Sequence, residues 1–143
     1  MIVFEVEPAY GYRIEYAGRS AVISGDTRPN ANVVKYGTGA DLLIHEVAFV
    51  RPELASEPFI QRIMAHHTTA REAGMIFERT RPRLAAFTHL VFLAGEHVPP
   101  ATVDDVIAET RQAYAGPLVV GEDLMSFDIG EMVRIRRTLS DQM

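Results

Sequence analysis

The sequence predicts a mixed fold of the α/β or α+β class, and three observations carry that expectation. Short β-branched, apolar runs recur along the chain, as in "SAVIS" and "DLLIHEVAF". Between them stand two helix-start signatures, Thr69 with Glu72 and Thr102 with Asp105. Glycine or proline punctuates most boundaries, and strands that alternate with helices are the pattern of layered mixed folds.

Taken in order, residues 12–16 (YRIEY) alternate in polarity and predict a strand. Gly18 turns the chain, and residues 20–24 predict the hairpin partner. A short helix is expected from Asn30 to Tyr36, stopped by Gly37 and Gly39. Residues 41–49 (DLLIHEVAF) begin with a continuous apolar run, which is the signature of a strand buried on both faces. Residues 51–58 read as loop, and "FIQRIMAHH" reads as a short helix.

The capping box of Thr69 and Glu72 then opens a helix with Ala73, Ile76 and Phe77 on its inner face, ended by Pro82. "RLAAFTH" (83–89) predicts a strand ending in a polar turn. Thr102 and Asp105 open a further helix, with Val103, Val106, Ile107, Ala113 and Tyr114 on one face. The stretch "PLVVGEDLMSFDIGEMVRIR" supplies two or three closing strands. There is no internal repeat, no low-complexity tract and no linker, so 143 residues are expected to form one domain.

Composition narrows the function classes. Hydrophobic residues make up 48% and charged residues 23%, as in ordinary globular proteins. No apolar run approaches the roughly 18 to 20 residues that span a bilayer, and no signal peptide is recognised, so a cytoplasmic location is expected. The absence of cysteine excludes disulfides, thiolate metal sites and cysteine nucleophiles. A formal charge of −5 disfavours an autonomous nucleic-acid binder. The clusters Arg79, Arg81, Arg83 and Arg134, Arg136, Arg137 are expected to be solvated surface rather than phosphate cradles.

Candidate chemistry gathers at element ends. Asp26 follows the second strand in a Gly-Asp-Thr turn, and His89 closes "RLAAFTH". His66, His67, Thr68 and Thr69 precede a helix. Rigid scaffolds collect functional groups at such positions, and carboxylate with imidazole suits hard or borderline divalent cations. Each residue also has a structural reading. Asp26 can bond its own turn, His89 can be a satisfied polar group, His66 and His67 can cap the helix, and His45 and Glu46 can pair with each other.

The order of motifs is more specific than any one of them. "GYRIEYAGRSAVISGDTRP", "ADLLIHEVAF", "HHTTAREAG" and "LAAFTHL" together resemble the C-terminal half of a metallo-β-lactamase-fold hydrolase, in the ribonuclease Z and arylsulfatase-like branch. The resemblance covers roughly residues 10 to 130. It implies half of an αββα sandwich, a mixed sheet with helices on one face, and therefore an uncovered apolar sheet face.

The resemblance also implies roles for three residues. Asp26 would bridge two metal ions, usually zinc, and His89 would bind the second. His67 would contact the substrate or assist proton transfer, while His66 points away. The implied activity is metal-dependent hydrolysis of an ester, phosphodiester, sulfate or lactam.

The family's His-x-His-x-Asp-His motif is absent from this sequence, and Glu5, Glu7 and Pro8 stand where a further ligand loop belongs. The expectations are therefore at most one weakly held ion and no activity in the chain alone. The site could instead be completed by a separate N-terminal half, or the scaffold could serve as a non-catalytic dimerising or binding module. A homo-oligomer or such a partner is expected, no membrane is involved, and a small-molecule substrate is favoured over transfer RNA.

Overall fold

The chain is represented by a computed structural model, which describes residues 9–137. Strand β1 (Tyr12–Tyr16) and strand β2 (Arg19–Ile23) form the expected antiparallel hairpin. Helix α1 (Ala31–Gly37) follows, capped by the Asn30 side chain, which accepts from the Asn32 N–H. Gly37 is the last helical residue rather than the stop, and the left-handed position falls to Gly39.

Strand β3 (Leu42–Val50), a 3-10 turn (Pro52–Leu54), helix α2 (Pro58–Met64), helix α3 (Ala70–Thr80) and strand β4 (Leu84–Leu93) come next. Helix α4 (Val103–Arg111) and strands β5 (Leu118–Val120), β6 (Ser126–Ile129) and β7 (Val133–Arg136) complete the described chain. Both capping boxes form. Thr69 and Glu72 close α3, and Thr102 and Asp105 close α4, each pair satisfying helix-start N–H groups reciprocally.

Five strands make a mixed sheet in the order β1-β2-β3-β4-β5, parallel except for the first hairpin. One face carries the main core. Val22, Leu43, Ala85 and Phe87 of the sheet pack with Val33, Ala73, Ile76, Phe77, Val106 and Tyr114 from the helical side. Val103, expected on the inner face of α4, is exposed instead, because it occupies the first position of the helix.

The opposite face differs from the fully open surface that half a sandwich implies. The β6–β7 hairpin lies near it, and Met125, Phe127, Ile129 and Val133 pack against Leu42, Leu84, Ala86 and Val119. Cover ends toward the β1 edge, where Ile14 is 55% exposed and Tyr16 84%. No helix among the described residues is long and apolar enough to cross a membrane.

The arginine clusters are largely spoken for. Arg81 pairs with Glu78, Arg83 with Asp41, Arg136 with Asp128 and Arg137 with Glu122.

Candidate functional site

Three segments meet toward the C-terminal side of the parallel strands, where open parallel sheets characteristically place ligand sites. The first is the turn after β2. Gly25 adopts φ +65°, and a Cβ there would stand 2.3 Å from the Tyr10 carbonyl oxygen, so the backbone crossing requires glycine. That crossing turns Asp26 outward.

The second is a bulge in β4. Glu46 of β3 pairs with Thr88, but Val47 pairs with Leu90, so His89 is an extra residue on its strand. It takes φ +45°, a left-handed conformation that strains any side chain bearing a Cβ. The expectation that the strand stops at His89 is corrected here, since β4 runs on to Leu93. A bulge re-aims one side chain without ending the strand. The third loop joins α2 to α3 and carries His67.

The structure brings these residues together. His89 Nε2 lies 3.3 Å from Asp26 Oδ2, and both side chains are about half exposed (48% and 60%). The His67 and His89 rings stack with centroids 5.7 Å apart. His67 Nδ1 lies 3.3 Å from Glu46 Oε2. His66 is exposed to solvent.

Glu46 is the residue that sequence reasoning missed. A pairing with its neighbour His45 is one structural reading of the sequence, but the strand alternation sends the two side chains to opposite faces. The Glu46 carboxylate is fully buried and accepts the backbone N–H of Thr68 at 2.8 Å and of Thr27 at 3.3 Å. Thr68 Oγ1 in turn donates to the Thr27 carbonyl at 2.6 Å, which ties the Asp26 turn to the His67 loop. Burial, opposed by those two N–H groups, pushes the Glu46 carboxyl up to about 7. The available signal was an acid following a run of apolar residues, where burial without partners is costly.

His45 lies beneath the site rather than in it. Its Nδ1 contacts the Glu46 carbonyl at 2.7 Å, and its ring meets Phe77 edge-on. Burial pushes its imidazole down to about 4. His97 sits in the exposed turn that the Gly95–Val98 bridge closes. Glu5 and Glu7 lie outside the described residues. No group of three or more His, Asp or Glu side chains among the described residues converges closely enough to hold a metal ion. Asp26 and His89 fit as two donors of a divalent site, being adjacent, exposed and of suitable chemistry.

No protein-family profile matches the chain. Ribonuclease Z of Myxococcus xanthus is 35% identical over 106 residues, covering 74% of this chain and 31% of that protein. Ribonuclease Z of Mycobacterium bovis is 31% identical over 127 residues, covering 87% and 43%. The chain thus spans less than half the length of these relatives. Among solved structures, the metallo-β-lactamase-fold protein YhfI of Bacillus subtilis superposes with a TM-score of 0.64 at 21% identity. That match covers 94% of this chain and 46% of the other. The short form of human tRNase Z gives a TM-score of 0.53 at 23% identity, covering 82% and 37%.

Proposed function

Because the chain belongs to the metallo-β-lactamase-fold proteins, corresponds to the C-terminal part of that fold and is related to ribonuclease Z, we propose that it forms one wall of a metal-dependent hydrolase site. The wall consists of Asp26, His89, His67 and Glu46. The observation that carries the reading is the paired geometry: a carboxylate–imidazole donor pair stacked against a second imidazole that a buried carboxylate orients.

Asp26 and His89 would hold a divalent cation, with zinc as the first candidate. Such an ion supplies Lewis-acid polarisation of the scissile group and activation of water. The protein's own residues do the rest. Glu46 fixes the His67 ring through Nδ1, which leaves Nε2 as the ring atom for proton transfer to a leaving oxygen. Burial of Glu46 excludes water behind the ring, and the Thr27 and Thr68 N–H groups hold its carboxylate in place.

Two donors leave a zinc ion short of the three protein ligands that catalytic sites ordinarily use. The remaining ligands would come from a second sheet packed on the Ile14 and Tyr16 side of the molecule, either in an N-terminal half or in another chain. A non-catalytic dimerising module is the second reading, favoured by the same exposed apolar residues.

Zinc titration of the full chain, followed through the histidine ring NMR signals, tests the wall. The His89 signals should shift with weak, saturable binding, and Asp26→Ala should abolish the shift. A response confined to His66 and His97 would remove Asp26 and His89 from any metal role.

A further inference from the structure

A cavity of about 460 Å³ opens beside His89, on the sheet face away from the helices. Ile44, Ala86, Met125 and Phe127 supply its apolar walls, and Thr88, Glu122 and Asp123 its polar lining. Its volume falls within the range of small-molecule sites. Its shape is fixed at one corner by Gly121, whose N–H donates to the Phe87 carbonyl at 2.8 Å. A Cβ at Gly121 would stand 2.4 Å from that carbonyl oxygen, so no other residue allows the close approach.

The charge around this cavity is one-sided. Among its lining residues are two carboxylates and no lysine or arginine. The Arg137 side chain pairs with Glu122 at 3.2 Å but does not line the space. An anionic group placed here would meet Asp123, and Glu122 whose charge Arg137 offsets only in part, and would lose its hydration against hydrocarbon walls. An uncharged ring would meet Ile44, Ala86, Met125 and Phe127 and lose little.

We propose that this cavity binds an uncharged, ring-sized apolar group carried on the ester that the Asp26–His89 wall addresses, so that the substrate class is a small aryl or cyclic ester. The proposal rests on the hydrolase reading for its ester, but the binding of the ring does not depend on metal or turnover. A ring bearing a scissile group would lie with that group at the His89 rim. The same shape could receive the base of a nucleoside, and the probes below separate the two sources.

The test is a metal-free NMR titration of the full chain with benzyl alcohol, benzoate and adenosine. Benzyl alcohol should shift the amides of Gly121, Glu122 and Phe127, with benzoate weaker by about fivefold or more. The double change Glu122→Gln with Asp123→Asn, on exposed positions, should narrow that gap. Ala86→Leu should abolish the shifts by filling the cavity. Benzoate binding as well as benzyl alcohol, or shifts that avoid these amides, would overturn the proposal. Adenosine binding more tightly than benzyl alcohol would also overturn it and assign the cavity to a base. Loss of zinc binding at Asp26 and His89 with ring binding intact would remove only the hydrolase reading.

Discussion

Strand β3 has a carboxylate at each end of its most buried stretch, and the two are treated in opposite ways. Asp41, just before the strand, receives the Ser20 N–H at 2.8 Å and Arg83 Nη1 at 2.6 Å. The Ser20 hydroxyl accepts the Asp41 N–H at 3.2 Å. The Arg83 hydrogen bond, above all, holds the Asp41 carboxyl below its ordinary range. Glu46, inside the strand, is more deeply buried than Asp41 and has no arginine, and burial pushes its carboxyl up to about 7. The Asp41 end ties the hairpin, β3 and the start of β4 together. The Glu46 end holds a charge poorly and faces a histidine. A charge-paired end and an end without a cation share one strand.

The sharpest way to break the comparison is to remove each carboxylate. Glu46→Ala strands two buried N–H groups and should cost roughly 2–4 kcal/mol by chemical denaturation. Glu46→Gln keeps an acceptor for both and should cost little, or stabilise above pH 7. Asp41→Ala should cost about 2 kcal/mol, since Ser20 and Arg83 retain partial access to water. A Glu46→Ala protein as stable as wild type would mean that the Thr27 and Thr68 bonds contribute nothing.

Proton linkage sharpens the contrast next. Glu46 has a folded pKa above its unfolded value, so its share of stability is present in acid and lost as the pH rises from about 4.5 through about 7. His45 is shifted the other way, and its share is lost as the pH falls from about 6.5 through about 4. In the shared window the two oppose each other. Glu46→Gln should therefore expose a loss of stability toward acid, and His45→Leu a gain. Each slope would reach at most about 1.4 kcal/mol per pH unit. Parallel slopes in the two variants would refute the assignment. Asp41, with a lowered pKa, adds stability above the ordinary carboxylate range that is lost only in stronger acid.

How much of this was legible in the sequence follows from the range of each interaction. The capping boxes of Thr69 and Thr102 are local, three residues wide, and both form. The strands announce themselves through apolar runs. The role of Glu46 is not legible locally because its partners Thr27 and Thr68 lie 19 and 22 residues away. The His89 bulge is a register event between two strands, which no single segment encodes. The hairpin over the second sheet face was read as closing strands, but where they pack depends on tertiary contacts with Leu84 and Val119.

Smaller effects test the Glu46 end and the open face. His89→Gly should stabilise the fold by about 1 kcal/mol by relieving the positive φ, whereas His89→Ala should not. A thermal melt of both variants separates backbone strain from the ring. Light scattering should show self-association that Ile14→Lys with Tyr16→Glu reduces; a monodisperse wild-type monomer would leave the exposed face without a second copy.

The central claim is that this chain supplies part of a metal site, with Asp26 and His89 as its donors. Elemental analysis of the protein purified without chelator measures this directly. The expected result is at most one weakly held ion per chain, removed by dialysis and missing in Asp26→Ala and His89→Ala. Two tightly held zinc ions per chain, retained through chelation, would contradict it and require ligands beyond this wall.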